Sequence, residues 1–236
     1  VNSSPTKLSA KKMEQLSVFD IYKIGVGPSS SHTLGPWKAA KAFLNSLSNQ
    51  EVKGIQIELF GSLSKTGIGH GTDIAVMLGL MNFDPETIDT EKINIYLKQL
   101  EAEQLLSTAT SSIPFIPKRD ILFQNETLPF HPNALTFTAQ LENDIIKETY
   151  YSIGGGFIVK EEEEDAVAID RKLPYPIGKG EDLIRHIQST QLPIPKIVHQ
   201  NELCFHPKWH IKKRLLHIFD TMLECVYRGC NKIGIL

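Results

Sequence analysis

The stretch IQIELFGSLSKTGIGHGTDIAVMLGLM, residues 55–81, decides the fold class. Its first six residues, Ile55 to Phe60, alternate apolar and polar side chains, the period of a half-buried strand. They run directly into a glycine-rich segment, Gly61 to Gly71. An apolar run from Ile74 to Met81 follows, which Thr72 or Asp73 is predicted to cap as a helix. A strand that feeds a helix through a special loop implies mixed α and β structure, and the pattern holds outward in both directions. Upstream, GVGPSSSHTLGPWKAAKAFL at 25–44 leads from a glycine- and serine-rich loop into apolar residues at helical spacing. Trp37, Ala40, Phe43, Leu44 and Leu47 predict a helix over about 34–48, with Pro36 suited to its first turn.

Downstream, 90–106 is predicted helical, with Ile93, Tyr96, Leu97 and Leu100 on one face. From 113 to 160 the texture changes to short strands at Ile121–Phe123, Leu135–Ala139, Glu148–Ile153 and Phe157–Val159, an expected antiparallel meander. The acidic run at 161–165 suits a solvated connection, and 173–178 a linker. Helices are then predicted at 180–190, 196–204 and 208–229. In the last, Ile211, Leu215, Ile218, Phe219, Met222 and Val226 form one apolar stripe. The expected fold is α+β: an antiparallel-sheet domain with packed helices, followed by an all-helical C-terminal segment. The boundaries that follow are a flexible tail at 1–15, the sheet domain at 16–172, a linker and first helix at 173–195, and the start of a helical domain at 196–236.

Composition narrows the function classes. The 236 residues carry 25 Lys and Arg against 27 Asp and Glu, a formal net charge of −2, which gives nucleic-acid binding no support. No apolar run approaches the ~18 residues of a membrane span, so no membrane is expected. The N-terminus has no apolar core of a signal peptide. Three cysteines, Cys204, Cys225 and Cys230, form no CxxC pair and no disulfide framework; they fit a reducing, cytoplasmic compartment, with Cys225 and Cys230 expected as buried thiols.

Four clusters could carry chemistry. Gly25-x-Gly27 has Ser30 where a dinucleotide fingerprint needs a third glycine, and no strong strand precedes it. What remains is Ser29-Ser30-Ser31-His32-Thr33 before a helix start, where backbone N–H groups and hydroxyls suit a carboxylate or phosphate. His70 lies between Gly69 and Gly71. A histidine on such a hinge is a candidate general base, with Asp73 close enough in sequence to orient it. His131-Pro132-Asn133 reads as a polar turn. Gly154-Gly155-Gly156 inside an apolar strand marks either a bulge or a close approach of ligand or backbone. His206, His210 and His217 read as a solvated helix rather than a metal site, with Pro207 aiming His206 away from His210.

Together, SVFDIYKIGVGPSSSHTLGPWKA, GSLSKTGIGHGTD, HPNALTFTA and YYSIGGGFIV resemble, in order and spacing, the N-terminal part of iron–sulfur L-serine dehydratases. The similarity runs from about Leu16 to the end of the chain and includes QNEL at 200–203. The resemblance implies an L-serine ammonia-lyase of amino-acid catabolism and gluconeogenesis that converts L-serine to pyruvate and ammonia. It implies a 4Fe-4S cluster as Lewis acid, held by cysteines of a helical partner domain absent from this chain, and a homodimer when complete. Cys204, Cys225 and Cys230 do not match those ligands, so no metal residue is assigned here, and the chain is expected to be partial and inactive alone. Carried over residue by residue, His70 is the expected base with Asp73 beside it. Ser29, Ser30, Ser31, His32 and Thr33 bind substrate, with Thr72, His131 and Asn133 around the pocket. Two rivals are a non-catalytic serine- or anion-binding regulatory module and a pyridoxal-phosphate lyase, for which Lys65 is the only lysine in the special loops.

Overall fold

A computed structural model describes residues 15–47, 50–162 and 171–234. Residues 1–14 of the tail expected at 1–15, the acidic residues from Glu163 on and the last two residues lie outside these; Gln15, the last residue of that tail, is hydrogen-bonded to the Arg171 backbone in both directions. The chain divides into two compact units, one comprising the described residues 23–162 and the other 15–22 with 171–234.

The unit at 23–162 is built on a five-stranded sheet. Strands β1 (Gly54–Leu59), β4 (Ile121–Phe123), β5 (Ala134–Gln140), β6 (Ile145–Gly154) and β7 (Phe157–Lys160) lie in the order β4-β1-β5-β6-β7. The meander expected from the turn residues is present as β5-β6-β7, all antiparallel. The sheet as a whole is mixed, because β4 pairs parallel with β1, Ile57 opposite Ile121. A parallel pair needs a long crossover, and residues 60–120 supply it. That crossover contains α3 (Gly61–Lys65), α4 (Gly67–His70), α5 (Thr72–Leu80), α6 (Ile93–Glu103), a separate hairpin β2 (Leu105–Ser107)–β3 (Ser112–Pro114), and α7 (Pro117–Asp120). The alternation of β1 puts Ile55, Ile57 and Leu59 on one face, opposite Ala139, Phe137 and Leu135 of β5. Helix α2 (Leu34–Ser46) adds Ala39, Ala40 and Phe43 to this core, with the Phe43 and Phe137 rings stacked at 5.0 Å.

Two local expectations change. The segment 61–71 is not an open loop but two short helical turns. Neither Thr72 nor Asp73 caps α5; its N-cap is Gly71 at φ +73°, and Thr72, fully buried, turns its hydroxyl elsewhere.

In the other unit, Ser17 opens the short α1 (Val18–Ile21) with a capping box closed by Asp20. Helices α8 (Gly180–Thr190), α9 (Ile194–Glu202) and α10 (Lys208–Asn231) follow, close to the predicted spans. The end of α9 ties the unit together. Asn201 clasps the backbone of Tyr175 through both side-chain atoms, and the buried Glu202 carboxylate accepts from Ser17 Oγ at 2.6 Å and Val18 N at 2.9 Å. On α10 only Ile211 and Ile218 of the predicted stripe are buried; Leu215, Phe219, Met222 and Val226 are exposed. Cys225 and Cys230 are exposed as well, since they lie beyond the part of α10 that packs. His206 is not aimed away from His210: one helical turn apart, their rings stack at 4.9 Å and both meet Phe19. No helix among the described residues is long and apolar enough to cross a membrane.

Candidate active site

The four motif segments, far apart in sequence, meet at one end of the sheet in the unit 23–162. Strand β1 ends at Leu59, and the chain turns into α3 at Gly61. That turn requires glycine: φ is +53°, and a Cβ would fall 2.2 Å from the Pro132 carbonyl oxygen. The same carbonyl accepts from Ser62 N at 2.9 Å, which seats the His131–Asn133 turn against the start of α3. Asn133 in turn brackets Ser152 of β6, accepting from its N–H at 2.9 Å and donating Nδ2 to its carbonyl at 3.2 Å. Ser152 lies flush against Gly35 in the first turn of α2, where a Cβ would come within 2.0 Å of Ser152 Oγ. The triple glycine after it is a bulged turn, all three residues at positive φ. The bulge reading of that motif holds, and Gly156 packs against the Leu34 side chain at the start of α2.

The serine loop thus enters α2 over a fixed floor. Its own turn is closed by His32 N and Thr33 N donating to the Ser29 carbonyl, and by Gly35 N donating to that of Ser30. Thr33 Oγ1 also donates to Ser29 O, at 2.7 Å. The Thr72 hydroxyl donates to the His32 carbonyl at 2.7 Å, locking this loop to the start of α5. His32 Nδ1 lies 3.2 Å from Ser31 Oγ and 3.4 Å from Ser29 Oγ, and Nε2 lies 2.9 Å from Ser62 Oγ. The Ser30 side chain is exposed at the loop tip.

His70 closes the group. Its ring lies 4.8 Å from that of His32, inclined by 30°. His70 Nδ1 is 2.8 Å from the Thr66 carbonyl oxygen, one turn back. A carbonyl only accepts, so Nδ1 carries the proton and the neutral ring keeps its lone pair on Nε2. His32 differs: hydroxyls flank both its nitrogens, and either tautomer satisfies them. Burial holds the His32 pKa below the usual imidazole value, the neighbouring His70 lowers it further, and the interaction with Ser62 opposes both. A second positive charge beside His70 is therefore disfavoured.

Asp73 does not supply the hydrogen bond that orients His70; Thr66 does. Asp73 is half-buried, its Oδ1 is buried with no hydrogen-bond partner among the described residues, and burial pushes its carboxyl pKa up against the pull of nearby backbone N–H groups. His131 turns its Nδ1 inward to accept from Asn133 N at 3.1 Å, which stabilises its own turn. Lys65 is exposed at the end of α3.

Ser62, Thr66 and Ser152 have no distinct role in the sequence reading. Ser62 and Thr66 would have emerged from treating 61–71 as helix, because the i to i+4 spacing then brings Thr66 to His70. Among the described residues no group of three or more His, Cys, Asp or Glu could hold a metal ion, and the three cysteines are free and exposed, Cys204 after α9 and Cys225 and Cys230 on α10. The donors present do not fit an iron–sulfur cluster.

Residues 17–163 match the serine dehydratase beta chain family. The chain is similar to L-serine dehydratase 1 of Escherichia coli strain K12, 37% identical over 230 residues, covering 94% of this chain and 50% of that protein. It is also similar to the L-serine dehydratase of Streptomyces coelicolor, 39% identical over 235 residues, with 94% and 51% covered. The L-serine dehydratase of Haemophilus influenzae is 36% identical over 234 residues, with 94% and 50% covered. The chain thus spans about half the length of the curated relatives it matches. With the matched segment carrying the serine loop, both histidines and the Asn133–Ser152 floor, the chain belongs to the serine dehydratase beta chain family.

Proposed function

We propose that this chain supplies the substrate-recognition and proton-abstraction half of a cytoplasmic L-serine ammonia-lyase, which converts L-serine to pyruvate and ammonia. The observation that carries the reading is the His32–His70 pair, ring centres 4.8 Å apart, with the hydroxyls of Ser29, Ser31 and Ser62 around it. The substrate is a small zwitterion whose Cα proton must leave. A donor-rich loop at a helix start suits its carboxylate, and an imidazole nitrogen with a free lone pair suits the proton.

In this scheme the substrate carboxylate sits on the loop Ser29–Thr33. His70 Nε2 takes the Cα proton. The C–H electron pair becomes the Cα–Cβ double bond, and the Cβ–O bond breaks with release of hydroxide, which leaves as water once protonated. The aminoacrylate tautomerises to an imine, and water converts that to pyruvate and ammonia. The Thr66 carbonyl bound to Nδ1–H stabilises the imidazolium that forms, as an acceptor does for any positive donor. Burial lowers the His32 pKa, which disfavours a second positive charge beside it. Thr72, His131 and Asn133 hold backbone around the pocket, and Asp73 lies in the first turn of α5. The resemblance implies a 4Fe-4S cluster as Lewis acid, and we assign its ligands to a helical partner domain of a dimeric enzyme; no step above depends on it.

The test is His70→Ala in the intact enzyme. The expected outcome is a kcat lower by about 10²–10⁴-fold, with competitive inhibition by small carboxylates retained. Near-normal turnover overturns the assignment.

A further inference from the structure

Ser62 is the first side chain of α3 able to reach the histidine pair, and its other polar groups are committed. Its N–H goes to the Pro132 carbonyl, and its carbonyl receives both Thr66 N–H and Thr66 Oγ1–H. Among the described residues, its hydroxyl has one hydrogen-bond partner, His32 Nε2 at 2.9 Å. The opposite nitrogen of His32 faces the hydroxyls of Ser31 and Ser29, which also lie 3.3 Å from each other. A hydroxyl can donate or accept, so two polarities fit this chain of groups. In one, Ser62 O–H donates to Nε2, Nδ1–H donates to the Ser31 and Ser29 oxygens, and those serines are free to aim their own O–H outward. In the other, Nε2–H donates to Ser62, the loop hydroxyls donate inward to Nδ1, and lone pairs face outward. Only the first presents donors to an anion.

We propose that Ser62 is a positioning residue: by donating its hydroxyl to His32 Nε2 it fixes His32 as the Nδ1–H tautomer and turns Ser29 and Ser31 into outward-facing donors for the substrate carboxylate. The inference rests on the reading of the serine loop as the carboxylate site. It extends that reading by naming what sets the loop's donor polarity. The segment 62–66 then governs both histidines by different means: the Ser62 side chain sets the tautomer of His32, and the Thr66 carbonyl sets that of His70.

The experiment has two arms, both on the intact enzyme. With histidines selectively labelled, ¹⁵N shifts should place the neutral His32 proton on Nδ1 in the wild type and show loss of that preference in Ser62→Ala. In steady-state kinetics, Ser62→Ala should raise KM for L-serine about tenfold, the scale of one hydrogen bond's net contribution, with kcat changed far less. Ser62→Thr, which keeps the hydroxyl, should restore both readouts, and Ser62→Cys, with its weak donor, should not. An Nε2–H tautomer in the wild type overturns the proposal without reference to any variant, so it stays testable if the alanine form does not fold. Unchanged KM in Ser62→Ala overturns it too. If His70→Ala is inactive while either of those results is found, this inference fails and the assignment of the base stands.

Discussion

Gly35→Ala tests how the sheet positions the serine loop. A Cβ built on Gly35 lies 2.0 Å from Ser152 Oγ, 2.8 Å from Ser152 Cβ and 3.6 Å from the Ser30 carbonyl oxygen. Carbon atoms in contact settle at roughly 3.5–4.0 Å. Rotating the Ser152 hydroxyl aside relieves the first overlap. The second persists, because a Cβ moves only with its backbone, and that backbone is bracketed by Asn133. The first turn of α2 must therefore lift from β6 by several tenths of an ångström. Overpacking of this kind costs about 1–3 kcal/mol, against a gain of at most about 1 kcal/mol from alanine's higher helix propensity. The net expectation is destabilisation by about 1–2 kcal/mol. The displacement should also reach the site, since Gly35 N is bonded to Ser30 O and His32 stands two residues further on. Urea unfolding should show a lower midpoint at unchanged slope, and KM for L-serine should rise. Adding Ser152→Gly removes both overlapping atoms and should recover most of the midpoint. Ser152→Ala alone should be neutral or slightly stabilising, because its buried Oγ has no hydrogen-bond partner among the described residues to lose. A Gly35→Ala protein with unaltered midpoint and KM, or one that Ser152→Gly fails to rescue, would refute the reasoning.

Two other substitutions probe the buried carboxylates. Burial raises the folded-state pKa of Asp73 above its unfolded value, so its contribution to stability is complete below the unfolded pKa and declines as pH rises through the folded one. Between about pH 4 and pH 7 the unfolding midpoint of Asp73→Asn should therefore fall less than that of the wild type; parallel pH dependences would contradict the assigned cause. Glu202→Ala leaves Ser17 Oγ and Val18 N without their acceptors and should loosen residues 15–22. The loss should be on the order of 2–4 kcal/mol for two bonds to a buried charge, read as faster amide exchange over α1 and earlier cleavage by a protease; unchanged protection would show that the turn is held by other contacts.

Much of the fold can be read from local pattern. The period-2 alternation of 55–60, the helical spacing of Trp37, Ala40 and Phe43, and the turn-bounded strands at 134–160 all express rules that act within a few residues. Those elements lie within a few residues of where their patterns predict. The parallel pairing of β4 with β1 is different in kind. A three-residue strand carries no sign of direction, and only the crossover through 60–120 determines which edge it joins. The segment 61–71 misleads for a related reason: its four glycines suggest a loop, while Ser62–Pro132 and Thr66–Ser62 hydrogen bonds, made possible by the docked turn at 131–133, coil it into helical turns.

The site divides along the same line. His32, His70 and the serines stand out in the sequence because a titratable or hydroxyl group beside glycine at a helix start is a chemical signal in itself. What faces His32, how the two imidazoles meet and what lies beneath the serine loop depend on segments about 30 to 120 residues apart. The sequence by itself determined the elements, the residue types that can bind a carboxylate or take a proton, and the family, since these rest on short-range periodicity and motif spacing. Only the tertiary structure decided what faces His32, the juxtaposition of the two imidazoles and the floor of Asn133 and Ser152 beneath the serine loop. Hydrogen bonds and desolvation act over a few ångströms, and distance along a chain says nothing about distances of that size.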